Sequence, residues 1–190
     1  MVNIGLFGGT FNPVHHGHIK MAEVARKEYK LKVIYFIPCG IPPHKPKKDL
    51  LPAKKRLELL KKAIKGKKYF KILDIEIKKK KPCYTIDTIK ALINKKNSIL
   101  NTQYSILFFL IGQDEFENLH TWNKTNQLAK LITFLVLPRV GARPMCLPKV
   151  KIPKVKNLKW HLVHTKPINI SSTEIRKQQQ KPHWQLSVIL

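Results

Sequence analysis

The sequence has few acidic residues, few cysteines and no long apolar segment. Its 190 residues include 11 Asp+Glu against 37 Lys+Arg, a formal net charge of +26. Cys39, Cys83 and Cys146 are widely spaced without a Cys-x-x-Cys pair, which argues against a disulfide framework or zinc knuckle and favours free thiols. No apolar run reaches the length of about 18 residues that a membrane span needs, and no secretory signal is visible. We therefore expect a cytoplasmic protein without a membrane partner.

The positive charge would attract polyanions, including nucleic acids and anionic nucleotides. The basic residues are mostly lysines spread over many segments, whereas a dedicated nucleic-acid reader concentrates arginine and aromatic residues on one face. The lysines are therefore interpreted as solvated surface, and a specific nucleic-acid partner is not favoured. A basic nucleic-acid-binding protein stays open as the alternative outside the enzymes.

The stretch from Val2 to His18 carries the strongest local signal. An apolar run at Ile4–Phe7 predicts a buried strand, and Gly8 and Gly9 let the chain turn and its backbone N–H groups approach a ligand. The stretch continues with Thr10, Phe11, Asn12, Pro13, His15, His16 and His18, just before a helical pattern. A strand, a glycine turn and a helix start are typical of phosphate binding, since the first N–H groups of a helix are unpaired.

Two other interpretations of this stretch are weaker. One is a plain strand-to-helix connection with surface histidines, which three histidines directly after a glycine turn do not favour. The other is a zinc site, for which no fourth ligand or cysteine pair accompanies the histidines. The sequence contains neither a Gly-x-Gly-x-x-Gly fingerprint nor a Walker-type Gly-Lys-Ser/Thr motif.

Strand and helix patterns alternate along almost the whole chain. Strands are predicted at 4–7, 32–38, 69–77, 104–111, 132–137 and 158–163, and helices at 19–29, 52–64, 84–94, 115–119, 123–131 and from 171. The pattern predicts a single α/β domain over 1–190 with a mainly parallel sheet, a loop region at 138–157 and a short tail at 177–190. The motifs at Gly8, Cys39, Gly112 and Arg139 each follow a strand, so they should meet at one sheet edge.

A second motif lies near the end of the chain, at 170–176, and reads Ile-Ser-Ser-Thr-Glu-Ile-Arg. Hydroxyl groups at the first turn of a helix can cap it or bind an anion there. Ser171 and Glu174 also fit a capping box, which is the purely structural alternative. Arg176 lies one turn along, where its guanidinium can reach the same anion as Ser172 and Thr173.

Residues 8–18, GGTFNPVHHGH, resemble the nucleotide-binding signature of the His-x-Gly-His nucleotidyltransferases. They are most similar to bacterial-type nicotinate mononucleotide adenylyltransferases, and residues 170–176 resemble that family's second motif. Asn12 departs from the family's aspartate. The resemblance implies a Rossmann-like three-layer sandwich, the nucleotidyltransferase fold. It also implies transfer of AMP from ATP to nicotinate mononucleotide, giving deamido-NAD and pyrophosphate in NAD biosynthesis.

The resemblance also assigns residues to the two substrates. Its ATP-binding set is Gly8, Gly9, Thr10, Phe11, His15, His18, Ser172, Thr173 and Arg176, of which His15, His18 and Arg176 are catalytic. Its acceptor-binding set is Pro38, Cys39, His44, Lys45, Tyr84, Thr85, Asp114, Trp122 and Arg139. Asp114 would bond a ribose hydroxyl, and Trp122 would stack on the pyridine ring. Mg²⁺ would arrive with ATP, without a metal ligand from protein side chains.

Several alternatives stay open within this framework. Pantetheine-phosphate adenylyltransferases and cytidylyltransferases share the histidine loop, although Gly112-Gln113-Asp114 with the downstream Trp122 favours the pyridine nucleotide. A degraded remnant of the enzyme is a further alternative, suggested by Asn12 and by the short tail. Val140 also follows Arg139 where the family usually has proline. The sequence carries no prediction of the oligomeric state.

Overall fold

The computed structural model describes residues 1–42, 50–94, 105–138 and 150–164. Its strands are β1 (Val2–Gly9), β2 (Val33–Pro38), β3 (Phe70–Ile72), β4 (Ser105–Gly112), β5 (Thr133–Leu137) and β6 (Trp160–Leu162). Its helices are α1 (His16–Glu28), α2 (Ala53–Ala63), α3 (Thr85–Ile93), α4 (Gln113–Glu117) and α5 (Thr125–Leu131), with a 3-10 turn at Leu119–Thr121. Among the described residues, no helix is long and apolar enough to cross a membrane.

The six strands form one sheet in the order β3-β2-β1-β4-β5-β6, and every neighbouring pair is parallel. The strand sequences explain this arrangement, because β2 and β4 are almost continuously apolar and are buried along most of their length. Strands that read as unbroken apolar runs are typical of parallel sheets covered on both faces. The predicted mainly parallel sheet is confirmed.

Alternate residues of β1, β2, β4 and β5 enter two separate cores. Tyr35 and Ile37 of β2 join the core on one face, and Ile34 and Phe36 join the core on the other. Side chains of α3 to α5 complete the first core, whereas α1 and α2 complete the second. The protein is therefore a three-layer sandwich whose central sheet is buried on both faces.

Three local predictions differ from the structure. Helix α1 begins at His16 rather than 19, because His15 has extended backbone and forms the N-cap. Strand β3 covers only Phe70–Ile72 of the predicted 69–77, since the segment beyond it turns to pack Glu76 against Gly40. Helix α3 covers Thr85–Ile93 of the predicted 84–94, because Tyr84 has extended backbone and forms the N-cap.

The buried face of α2 is not the one that its sequence pattern indicates. Helical spacing places Leu57, Leu60 and Ile64 on one apolar face, but the buried residues are Arg56, Leu59 and Leu60. The helix is rotated because Arg56 turns inward and finds backbone carbonyl partners. The predicted helix from 171 and the tail at 177–190 lie outside the described residues.

Candidate functional site

The candidate site lies at the carboxyl edge of the sheet, where β1, β2 and β4 end side by side. Gly9 at the end of β1 is in register with Pro38 at the end of β2, and the Cys39 amide donates to the Gly9 carbonyl at 2.9 Å. Helix α4 begins directly after Gly112 of β4. The structure thus confirms that the motifs at Gly8, Cys39 and Gly112 meet at one edge, the usual ligand position in such sheets.

The turn after β1 packs tightly against a side chain of the neighbouring strand β4. A Cβ atom added to Gly8 would lie 2.7 Å from the Phe109 ring, so the packing requires glycine at this position. Phe11 then adopts a left-handed backbone with a φ of 47° and buries its ring. The loop backbone is therefore held close to the sheet, with residues 8–11 at its carboxyl edge.

His15 is a buried polar side chain with an open hydrogen-bonding atom. It is 4% exposed, and its Nδ1 has no hydrogen-bond partner among the described residues. Burial, followed by the nearby His16, lowers the pKa of His15 to about 4, so its imidazole is neutral at neutral pH. A buried nitrogen without a partner costs free energy, and a catalytic role or a bound water or ion is the usual explanation for one in a native fold.

His18 stands one turn further along α1 and faces His15, with the ring centroids 3.9 Å apart. The His15 backbone amide donates to His18 Nδ1 at 3.3 Å. Because Nδ1 accepts this bond, a neutral His18 carries its proton on Nε2 and can donate it to a ligand oxygen. An edge contact with the Phe11 ring, 5.2 Å between centroids, helps to hold the imidazole in place.

The histidines do not form a metal centre. In the described parts of the chain, the imidazoles of His15, His16 and His18 do not gather as a group of ligand atoms. His16 points to solvent, whereas His15 is buried. The zinc interpretation of this stretch is therefore not supported, and His15 and His18 are interpreted as hydrogen-bonding groups.

Arg56 is a buried cation beneath the site that sequence reasoning missed. It is 0% exposed, and its guanidinium donates to three backbone carbonyls: Thr10 at 2.6 Å, Gly40 at 2.9 Å and Leu51 at 3.0 Å. Thr10 lies in the loop after β1, and Gly40 and Leu51 lie towards the two ends of the connection between β2 and α2, so a single side chain holds these two loops together. Arg56 is the one arginine among the lysines of α2, and that difference was the only available signal.

Asn12 connects the same loops in a second way. Its side-chain Oδ1 accepts a hydrogen bond from the Leu51 amide at 2.9 Å, which ties the turn after β1 to the start of α2. An aspartate would offer the same acceptor oxygen. The departure from the family's aspartate therefore keeps a structural contact and loses only the charge.

The acceptor-side residues that the structure describes lie on four segments around the same edge. Pro38 ends β2 and Cys39 follows it, while Tyr84 and Thr85 begin α3. Asp114 is exposed in the first turn of α4. Trp122 is half-buried, with its ring edge-on to Phe109 at 6.1 Å between centroids. His44, Lys45, Arg139, Ser172, Thr173 and Arg176 lie outside the described residues.

Together these groups form a surface suited to anionic ligands. Backbone from the turn after β1, the His18 imidazole and the start of α1 occupy one part of the edge. The start of α3 occupies another, where the first amides of a helix have no partner further up the helix. Such an edge can bind one phosphorylated ligand beside a second.

Comparison with known proteins agrees with this geometry. The Cytidylyltransferase-like family model matches residues 6–178. A protein of Dehalococcoides mccartyi named probable nicotinate-nucleotide adenylyltransferase is 36% identical, covering 92% of this chain and 83% of its own. A Caldicellulosiruptor bescii protein of the same name is 37% identical, covering 93% and 86%.

Solved structures share the fold. Plasmodium falciparum nicotinic acid mononucleotide adenylyltransferase complexed with NaAD superimposes with a TM-score of 0.69 at 20% identity, covering 96% of this chain and 86% of that one. The same enzyme complexed with APC gives a TM-score of 0.69 at 19% identity, covering 100% and 89%. The predicted Rossmann-like fold and the resemblance in residues 8–18 are confirmed. The chain belongs to the nicotinate-nucleotide adenylyltransferase family, within the cytidylyltransferase-like nucleotidyltransferases.

Proposed function

We infer that this protein carries out its family's reaction, the transfer of AMP from ATP to nicotinate mononucleotide, at the carboxyl edge of β1, β2 and β4. The observation that carries this placement is His15, whose buried Nδ1 lacks a partner beside the His18 imidazole. A phosphate oxygen, or a water bound to one, would supply the missing contact. The products are deamido-NAD and pyrophosphate.

The reaction needs no nucleophile from the protein. A phosphate oxygen of the acceptor attacks the α-phosphorus of ATP, the bond from that phosphorus to the bridging oxygen breaks, and pyrophosphate leaves with the electron pair. Because the attacking phosphate is already ionised, the protein contributes by positioning two anions and by stabilising the charge on the leaving group.

We propose that the turn after β1 and the start of α1 bind the ATP. We propose that Gly8 to Phe11 present backbone to the triphosphate and that His18 donates Nε2–H where negative charge develops. His15 would contact the same phosphates as a neutral group. Ser172, Thr173 and Arg176 are proposed to complete this side, on the strength of their motif alone.

We propose that the loop after β2 and the start of α3 bind the acceptor, nicotinate mononucleotide. The first amides of α3, at Tyr84 and Thr85, suit the carboxylate that distinguishes nicotinate from its amide. Asp114 is proposed to accept a ribose hydroxyl, and the half-buried Trp122 to offer a ring face to the pyridine. Pro38, Cys39, His44, Lys45 and Arg139 are proposed to complete the acceptor side.

ATP is proposed to enter as its Mg²⁺ complex, with the ion held mainly by phosphate oxygens and water. We also propose a cytoplasmic location and a single domain over the whole chain. The high positive charge, +26 in formal terms, would raise the local concentration of both anionic substrates.

The test is pyrophosphate release from ATP-Mg with three acceptors: nicotinate mononucleotide, nicotinamide mononucleotide and phosphopantetheine. We expect turnover with the nicotinate nucleotide and much slower turnover with its amide. Turnover with phosphopantetheine, or with CTP in place of ATP, would move the protein to a sister activity. If the folded protein releases no pyrophosphate with any acceptor and binds DNA with an affinity that falls steeply with salt, the nucleic-acid-binding alternative is favoured.

A further inference from the structure

Two thiols and a carboxyl group come together beside the acceptor side of the site. Cys39 follows β2, Glu76 lies in the turn after β3, and Cys83 precedes α3. One ligand atom from each residue lies within 4.8 Å of the other two. We call these three residues the thiol junction. Glu76 and Cys83 are buried, and Cys39 is partly so.

The backbone around the thiol junction holds its members in place. Gly40 packs so closely against the Glu76 carbonyl that a Cβ atom would not fit between them. The Cys83 amide donates to the Ile41 carbonyl at 3.2 Å, next to a bridge between Ile41 and Pro82. The Thr88 hydroxyl donates to Glu76 Oε1 at 2.7 Å. These contacts preorganise the three groups, so a ligand needs little backbone movement to contact all of them.

The donor set has a definite chemical preference. Two cysteine sulfurs with one carboxylate oxygen match the ligands of Zn²⁺, which binds thiolate at about 2.3 Å and carboxylate at about 2.0–2.2 Å in tetrahedral geometry. Tetrahedral ligands at such bond lengths are separated by about 3–4 Å, which the 4.8 Å spacing allows with small side-chain shifts. Magnesium and calcium prefer oxygen ligands and are disfavoured here.

Three groups that are anionic when deprotonated are crowded together, and a divalent cation would stabilise their anionic forms. The nearby Arg56 and Lys79 carry opposing positive charge, so we expect weaker binding than at an all-cysteine structural site.

We propose that Cys39, Glu76 and Cys83 bind a thiophilic divalent cation of the Zn²⁺ class, with solvent completing the fourth position. Binding releases the two thiol protons, and the carboxyl proton where Glu76 is protonated. The cation would join the loop after β2 to the start of α3. The sequence predicted no metal bound by protein side chains, because Cys39 and Cys83 lie far apart along the chain. This inference stands independently of the proposed adenylyl transfer.

The test is a Co²⁺ titration of the fully reduced full-length protein, followed by its thiolate-to-cobalt absorbance and then by displacement with Zn²⁺. We expect one saturable site per chain whose absorbance Zn²⁺ abolishes. Cys83→Ser and Cys39→Ser should each weaken binding by about tenfold or more, and Glu76→Gln by a smaller factor. Cys146→Ser, which removes the remaining thiol, should bind cobalt like the wild type.

Folding and metal binding are separated by recording the thermal transition of each variant without metal. The proposal predicts a Zn²⁺-dependent rise of the melting temperature in the wild type and in Cys146→Ser, but not in Cys83→Ser. It is overturned if wild-type protein shows no saturable thiolate absorbance, or if folded Cys83→Ser binds cobalt as tightly as the wild type. Equal loss in Cys146→Ser would likewise overturn it.

Discussion

The buried polar groups in two neighbouring regions of the sheet edge differ in their hydrogen-bond partners. The turn at residues 8–18 leaves His15 Nδ1 without a partner in the described chain. In the thiol junction, Thr88 donates to Glu76, and the Cys83 sulfur lies 3.6 Å from the Glu76 carbonyl. A buried atom without a partner destabilises a fold unless a ligand completes it. The first region therefore leaves a buried nitrogen without a contact in the chain, whereas in the second region contacts within the chain hold the polar groups together.

Arg56 connects these two regions. One guanidinium nitrogen donates to the Thr10 carbonyl in the turn, and another donates to the Gly40 carbonyl beside the thiol junction. The relative position of the two loops thus depends on one buried side chain. The comparison can be tested by changing first the histidines, then the connecting arginine, and then the weaker contacts.

The largest effect is expected from His18→Ala. Loss of the Nε2–H donor should lower kcat by about 10²–10³-fold, because a preorganised donor stabilises charge that develops in the transition state. The melting temperature should change little, since His18 is only partly buried. Steady-state pyrophosphate release measures the rate, and thermal unfolding checks the fold.

The matched control is His16→Ala, two positions earlier on the same helix. His16 is exposed, so its removal should leave kcat within a few-fold of the wild type. Near-normal turnover in His18→Ala would remove the proposed role of that imidazole. Equal losses in both variants would indicate a general effect of the helix start.

The next effect is on stability. Arg56→Met should lower the free energy of unfolding by about 3 kcal/mol, because three backbone carbonyls, that of Gly40 fully buried, lose donors from a charged group. Arg56→Lys, which keeps the charge but not the planar fork, should lose less. Urea unfolding measures both. Lys55→Met is the control, since Lys55 is exposed and its 3.4 Å ion pair with Glu58 contributes under about 1 kcal/mol.

A smaller effect is expected in the pH dependence of stability. His15 has a pKa of about 4 when folded against 6.5 as the reference value, so the unfolded state binds more protons between these values. Stability is therefore highest above pH 6.5 and falls as the pH drops towards 4, by about 2 kcal/mol between pH 7 and 4.5. Urea unfolding at both pH values should show this loss reduced in His15→Gln and retained in His16→Gln. A loss of equal size in both variants would contradict the assignment.

The smallest effect concerns the departure from the family pattern. Asn12→Ala should lower stability by about 1 kcal/mol, because the Leu51 amide loses its acceptor. Asn12→Asp keeps the acceptor, so its stability should differ by less than about 0.5 kcal/mol from the wild type. Chemical denaturation of the two variants side by side measures the difference. A large loss in Asn12→Asp would show that the amide group itself is required.

Sequence reasoning could predict the features that depend on neighbours along the chain. The apolar run at Ile4–Phe7, the glycines after it and the helix that follows are all local, and so is the alternation that indicated a parallel sheet. The inward turn of Arg56 could not be predicted, because its carbonyl partners come from the loop after β1 and from the connection between β2 and α2. The meeting of Cys39 with Cys83 depends likewise on how β2 and α3 pack.

The most direct test of the central assignment is histidine-selective NMR during titration with ATP-Mg. We expect the imidazole resonances of His15 and His18 to shift together as the nucleotide saturates. Those of His161 on β6 and His164, whose Nδ1 pairs with Glu28 at 2.7 Å, should stay unchanged. Shifts confined to His161 and His164, or no shift at His15 and His18 in protein that turns over ATP, would contradict the assignment.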